Sequence, residues 1–295
     1  MALVATLISD PANPAISPEL AEDTARDLQA SGLYWLADGV ACDIALKDGT
    51  GKEEACALIA ENIGEAPIDI IVQEAESRRK KLLLADMDST MIGQECIDEL
   101  AAEVGLKEKV AAITARAMNG EVEFEPALRE RVALLEGLPV STIEKVIAER
   151  ITLAPGARTL VATMKRHGAY TTLVSGGFTV FTAEIAAMLG FDENRANRLI
   201  DRDGHLVGTV AEPILGREAK LDALISICAR LGIGEADALA VGDGANDLAM
   251  IERAGTGVAI HAKPSVAARA PFRIDNSDLT ALLYMQGYRK TDFAQ

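Results

Sequence analysis

Three short apolar runs in this chain break off into polar motifs, and that pattern limits the fold more than any other feature. Leu82-Leu83-Leu84-Ala85 runs into Asp86-Met87-Asp88-Ser89-Thr90, Ala169–Val174 into Ser175-Gly176-Gly177, and Ala238–Val241 into Gly242-Asp243-Gly244-Ala245-Asn246-Asp247. Apolar runs this short, bounded by turn residues, read as strands buried on both faces, the habit of parallel sheets. From Ala157 onward such runs, Gly257–Ile260 and Phe272–Ile274 among them, alternate with helical spacing. The expected core is therefore an α/β fold with a doubly wound, Rossmann-like parallel sheet. Open sheets of this kind bind ligands beyond the carboxyl ends of their strands, where all three motifs fall.

Between the first and second apolar runs lie helical patterns at Gln94–Val104, Lys107–Met118, Glu125–Leu135 and Val140–Ala148, punctuated by Gly105, Gly120 and Gly137-Leu138-Pro139. That is too much chain for a βα loop, and it predicts a helical cap over about residues 92–152, placed above Asp86. Asp201-Arg202-Asp203-Gly204, between Asn197–Ile200 and His205–Val210, is a hairpin signal. Ahead of the core, strand-like Leu3–Ser9, Leu33–Leu36, Ala41–Leu46 and Ile68–Val72 interleave with helical Pro18–Ala30 and Lys52–Ile63. The order βαββαβ predicts a ferredoxin-like α+β domain over residues 1–76. Polar Glu74–Lys81 marks the boundary, so residues 77–295 form the second domain and a chain beginning near Ser77 is expected to fold and work alone. Two domains also suit a length of 295 residues.

Composition closes off several function classes. The 45 acidic residues outnumber the 29 basic ones for a net charge of -16, a field that repels nucleic acid and anionic membrane. Aromatic residues make up 4%, too few for the stacking platforms of single-strand binders. No apolar stretch spans a bilayer, and Ala2–Ile8 lacks the basic flank and length of a signal peptide, which points to the cytoplasm. Cys42, Cys56, Cys96 and Cys228 are scattered, as suits reduced, buried thiols.

Singly, each polar motif has an ordinary explanation as a turn or a chance pair of acids. Gly242-x-Gly244 lacks the third glycine of a dinucleotide site, and Gly49-Thr50-Gly51-Lys52 is followed by Glu53 where a P-loop needs Ser or Thr. Together, Asp86, Asp88, Asp243 and Asp247, with the N–H groups of Ser175-Gly176-Gly177 and a lysine for which Lys220 is the candidate, suit holding Mg2+ against a phosphoryl group. A carboxylate can attack phosphorus and divide hydrolysis into two steps. His167, His205 and His261 fall in no motif.

In that order, Asp86-Met-Asp-Ser-Thr, Ser175-Gly-Gly-Phe, Lys220 and Gly242-Asp-Gly-Ala-Asn-Asp resemble the motif set of the haloacid dehalogenase-like phosphatases. Glu95-Cys-Ile-Asp-Glu, the Phe124–Val132 stretch and Ala196-Asn-Arg-Leu resemble those members that act on phosphoserine. The resemblance covers about residues 81–290, and Met87 departs from the phenylalanine often found there. It implies Asp86 as nucleophile, Asp88 as general acid and base, and Mg2+ on Asp86, the Asp88 carbonyl and Asp243, with Asp247 placing water or Lys220. It implies phosphate on Ser175, Gly176, Lys220 and Asn246, the substrate ammonium on Glu95 and its carboxylate on Arg131, and Met118 and Phe124 closing the pocket. The implied substrate is O-phosphoserine. A related capped phosphatase or phosphotransferase on another small phosphate ester, and a non-catalytic amino-acid sensor, are the rivals. The N-terminal domain resembles ACT-like folds, which implies either association, a homodimer included, or ligand sensing.

Overall fold

The chain begins as β1 (Leu3–Ser9), α1 (Pro18–Asp27), β2 (Gly32–Ala37), β3 (Ala41–Ala45), α2 (Lys52–Ile63) and β4 (Ile68–Glu74), the predicted βαββαβ order. These strands form an antiparallel sheet of order β2-β3-β1-β4, the ferredoxin-like arrangement. α1 starts where the Ser17 hydroxyl accepts the Leu20 N–H at 3.1 Å and Pro18 fills the first turn. Leu7, Ile44, Ile59 and Val72 sit in the apolar core that sheet and helices share. The computed structural model describes residues 2–119 and 121–294, without the side chains of Met118 and Arg217.

β5 (Leu82–Ala85) leads into α3 (Cys96–Glu103), α4 (Lys107–Met118), α5 (Phe124–Ala133) and α6 (Ser141–Arg150), four helices where the sequence predicts the cap. α7 (Ala157–Arg166) follows, then β6 (Tyr170–Phe178), α8 (Thr179–Leu189), β7 (Glu193–Asn197), β8 (Leu199–Arg202) and β9 (His205–Val210). The chain ends through α9 (Arg217–Leu231), β10 (Ala238–Gly242), α10 (Leu248–Arg253), β11 (Thr256–Ile260), α11 (Pro264–Ala267), β12 (Phe272–Ile274) and α12 (Ala281–Tyr284). In the sheet, β11-β10-β5-β6-β7 are successive parallel neighbours. Leu82, Leu83, Leu84, Leu239, Val241 and Val258 are wholly buried there, which is why these strands are apolar without alternation. β5 and β10 are adjacent, so Asp86 and the Gly242–Asp247 motif leave the sheet side by side.

Two compact units emerge from the contacts. One holds Met1–Lys81 together with Pro155–Ala169 and Phe272–Gln295; the other holds Leu82–Ala154 and Tyr170–Pro271. The unit around the ferredoxin-like sheet therefore extends beyond the 1–76 and 77–295 division that the sequence predicts. Its later segments are bound to it by polar contacts: the Asp69 carboxylate accepts the N–H groups of Asp275, Asn276 and Ser277, and Gln73 Nε2 donates to the Met285 carbonyl at 2.6 Å. In sequence those segments only continue the strand and helix alternation.

β7 is a strand that the apolar pattern does not predict, because Glu193-Asn-Arg-Ala-Asn is polar. Asn197 closes β7 rather than opening the hairpin, which runs from Leu199. Asp203 and Gly204 turn that hairpin with φ of 53° and 77°, the left-handed pair a two-residue turn requires. All four cysteines are free thiols. No helix among the described residues is long and apolar enough to cross a membrane.

Candidate active site

A cavity of about 610 Å³ opens at the carboxyl ends of β5, β6 and β10, with α3, α4 and α5 on its other side. Asp86, Asp88, Ser175, Gly176 and Asn246 line it from the sheet; Glu95, Phe124 and Arg131 line it from the cap helices. Most of the side chains singled out from the sequence thus reach one cavity. Met118 is the last residue of α4, and its side chain lies outside the described residues.

Lys220, Asp243 and Asp247 are not among the lining residues and lie behind Asp86: Lys220 on α9 is 2% exposed and its Nζ lies 2.5 Å from both Asp86 Oδ1 and Asp247 Oδ1. Burial opposes the lysine charge, but Asp247 and Asp86 outweigh it and raise its pKa. The other oxygen of Asp247 accepts the N–H groups of Asp243 and Gly244 at 3.2 and 3.0 Å. Both Asp247 oxygens are thereby engaged, and its carboxylate pins the Gly242–Gly244 turn. A Cβ on Gly242 would stand 2.4 Å from that carboxylate, so only glycine permits the approach.

Oxygens of Asp86, Asp243 and Asp247 lie within 4.8 Å of one another. Burial, then Asp247, drives Asp86 well above the usual carboxylate range against the pull of Lys220. Burial, then Asp247, pushes Asp243 up to about 7, with Lys263 and Lys220 opposing. One buried lysine does not balance three buried acids. An all-oxygen donor set with surplus negative charge fits a hard divalent cation such as Mg2+.

Asp88 faces the same cavity with both oxygens held: Oδ1 accepts the Cys96 N–H at 2.8 Å and Oδ2 accepts the Ser175 hydroxyl at 3.2 Å. Burial raises its pKa, and the Cys96 and Ser175 bonds moderate the rise. Ser175 Oγ in turn accepts the Gly177 N–H at 2.8 Å, within the irregular end of β6. Glu95 caps no N–H of α3, and its Oε1 accepts the Ser89 hydroxyl at 2.5 Å. Ser89 has φ of 55°, an unusual conformation for a residue with a side chain. Burial and then Asp88 raise the pKa of Glu95. The Phe124 ring lies over the end of β6, since a Cβ on Gly176 would meet its Cζ at 2.8 Å.

Arg131 is 6% exposed, with Nε donating to the Ala127 carbonyl at 3.1 Å and Nη1 to Thr114 Oγ1 at 3.0 Å. Sequence patterns assign no role to Thr114, nor to Asn197, whose buried amide donates to the Gly176 and Leu215 carbonyls at 2.8 and 3.1 Å and accepts the Leu215 N–H at 2.7 Å. Asn197 ties the end of β6, where the sequence predicts a turn at Ser175–Gly177, to the segment that enters α9 and Lys220. Its only sequence signal is its place in Ala196-Asn-Arg-Leu.

Known proteins resemble this chain in sequence and in fold. The chain is 41% identical to the phosphoserine phosphatase of Streptomyces coelicolor over 246 residues, 83% of this chain and 60% of that protein, so it spans three fifths of that relative. It is 43% identical to the phosphoserine phosphatase of Methanocaldococcus jannaschii over 206 residues, 70% of this chain and 97% of that protein. A solved structure described as a phospho-aspartyl intermediate analogue of phosphoserine phosphatase is 43% identical, with a TM-score of 0.67 over 70% of this chain and 98% of its own. Residues 83–252 match the family described as haloacid dehalogenase-like hydrolase. With more than half of its length matched, from the first motif strand to α10, the chain belongs to the haloacid dehalogenase-like hydrolases.

Proposed function

We propose that this hydrolase converts O-phospho-L-serine and water to L-serine and inorganic phosphate, with the phosphoryl group carried transiently on Asp86, as the final step of serine formation. The observation that carries the reading is one cavity lined on one side by Asp86, whose carboxylate belongs to the acid cluster and bonds to Lys220, and on the cap side by opposite charges, Glu95 and Arg131. An amino-acid phosphate ester has the complementary set: a phosphate, an ammonium and a carboxylate. Arg131 offers a planar fork for the carboxylate and Glu95 an anion for the ammonium. Two relatives named phosphoserine phosphatase, each more than 40% identical, support the choice of substrate.

In this reading Asp86 attacks phosphorus; its bond to phosphorus forms as the seryl oxygen departs, and Asp88 gives that oxygen a proton. Burial favours the protonated form of Asp88 needed for the first step. Water then attacks phosphorus while Asp88 takes a proton from it, and the bond to Asp86 breaks. Ser175, the Gly176 N–H, Asn246 and Lys220 hold phosphate oxygens, and Phe124 excludes water from above. Asp86, the Asp88 carbonyl and Asp243 would hold Mg2+, with Asp247, already bonded to Lys220 and two N–H groups, setting their positions. When bound, Mg2+ supplies charge that offsets the repulsion between carboxylate and phosphate. The partner is a small metabolite in the cytoplasm, and a net charge of -16 disfavours nucleic acid and anionic membrane.

Phosphate release over a panel of small phosphomonoesters tests the reading, with Mg2+ and after exhaustive chelation. Phosphoserine should be the preferred substrate, and activity should vanish in chelator and return with Mg2+. A flat profile across the panel would remove the substrate assignment, and full activity in chelator would remove the metal.

A further inference from the structure

Arg131 does not stand alone in the cap. Its Nη1 donates to Thr114 Oγ1 at 3.0 Å, and the Thr114 hydroxyl lies 2.8 Å from Asp98 Oδ1 and 3.1 Å from the Val110 carbonyl. A hydroxyl has one proton, and the nearer, charged acceptor is Asp98. The chain Arg131 to Thr114 to Asp98 joins α5, α4 and α3 in turn. Thr114 is 3% exposed and lines the cavity beside Arg131. With Nε on Ala127 and Nη1 on Thr114, Nη2 has no hydrogen-bond partner among the described residues, and Arg131 lines the cavity.

We propose that Thr114 and Asp98 are positioning residues for substrate selection: they hold the Arg131 guanidinium in the one orientation that presents Nη2 to the carboxylate of an amino-acid phosphate. The inference rests on the phosphoserine reading and deepens it. Neither residue hydrogen-bonds to the acid cluster or to the groups assigned to phosphate, so the chemistry at Asp86 proceeds without them. Removing the hydroxyl leaves Arg131 charged and buried but free to turn, which weakens its hold on a carboxylate. A substrate without a carboxylate does not notice the change. Asp98 contributes charge as well as geometry: burial raises its pKa, while the Thr114 bond and Arg131 oppose that rise.

The experiment compares phosphoserine with phosphoethanolamine, which keeps phosphate and ammonium and lacks the carboxylate, in the Mg2+-loaded full chain. The wild-type preference is measured first: no preference for phosphoserine sinks the substrate reading itself, before any variant is made. Given that preference, Thr114→Val should raise KM for phosphoserine roughly tenfold, the worth of one hydrogen bond to a charged group. Its kcat on phosphoserine, and both constants on phosphoethanolamine, should stay near wild type. Thr114→Ser should restore the preference. Equal losses on both esters, or an unchanged preference in Thr114→Val, would overturn the positioning role. Should Thr114→Val fail to fold by circular dichroism, Asp98→Asn takes its place: a selective rise in KM for phosphoserine supports the role, and equal losses or no change overturn it.

Discussion

Asp86 is the residue on which the proposed chemistry turns. Asp86→Asn replaces the nucleophile with a poor one and removes a charge from the acid cluster, so turnover and any acid-stable trapped phosphate should disappear. Hydrolysis near the wild-type rate, in protein verified free of deamidation, would show the nucleophile to be elsewhere. Arg131→Ala should cost on the order of 2–5 kcal/mol in kcat/KM on phosphoserine, since the substrate carboxylate is left desolvated without a partner. On phosphoethanolamine the same variant should lose far less. Asn197 acts further from the reaction, by holding the end of β6 and the segment before α9 at once. Asn197→Ala orphans the Leu215 N–H and two carbonyls, about 1–3 kcal/mol each where buried, and should raise the inhibition constant for inorganic phosphate as well as lower the melting temperature. Unchanged phosphate inhibition would limit Asn197 to a structural part. Cysteine reactivity checks burial independently of activity. Cys42, Cys96 and Cys228 are buried and Cys56 is half-buried on α2, so a thiol reagent should label Cys56 first and the others on unfolding.

Elements depend on close approaches that glycine allows. A Cβ on Gly257, in β11, would stand 1.8 Å from the Ile251 carbonyl oxygen on α10. Backbone must move to admit it, so Gly257→Ala should cost about 3 kcal/mol in denaturant unfolding. A midpoint equal to wild type would contradict that packing. Such approaches are invisible in sequence, whereas patterning is not. The apolar runs of β5, β10 and β11 are legible because strands buried on both faces leave no polar position to confuse the pattern. β7 is hidden for the opposite reason: Glu193 and Arg195 pair with each other, and Glu193 also meets Tyr170 and Arg230, so its polar side chains are satisfied at the sheet. The candidate site divides along the same line. Asp86, Asp88, Asp243 and Asp247 are legible because they sit in short motifs at strand ends. Thr114 and Asn197 are not, because a threonine within a helix and an asparagine at a strand end gain meaning only from partners far away in the chain.

At the scale of the molecule, the N-terminal sheet and the end of the chain share a compact unit, which changes what truncation should do. Asp69 on β4 accepts three successive backbone N–H groups at Asp275, Asn276 and Ser277, and Ser277 Oγ donates to the Ser9 carbonyl at 3.2 Å. Leu282, Leu283 and Tyr284 on α12 are buried in the same unit. Where the sequence alone predicts that residues from Ser77 onward fold and work by themselves, these bonds predict a damaged protein. Deleting residues 1–76 removes Asp69 and leaves those N–H groups to water, and it strips cover from α12, which packs on β1. At ~1.5–3 kcal/mol for each hydrogen bond to a charged group, the loss amounts to several kcal/mol, and it should lower the melting temperature by more than about 10 °C for a chain of the remaining length. None of the proposed active-site residues lies in the deleted part, so whatever fraction stays folded should keep its KM for phosphoserine while specific activity falls with the folded fraction. Thermal unfolding and initial rates on the same samples separate the two effects. A shortened chain that melts within a few degrees of the full one would show that the Asp69 bonds contribute little, and one that folds well but has a changed KM would show that the first 76 residues reach the active site.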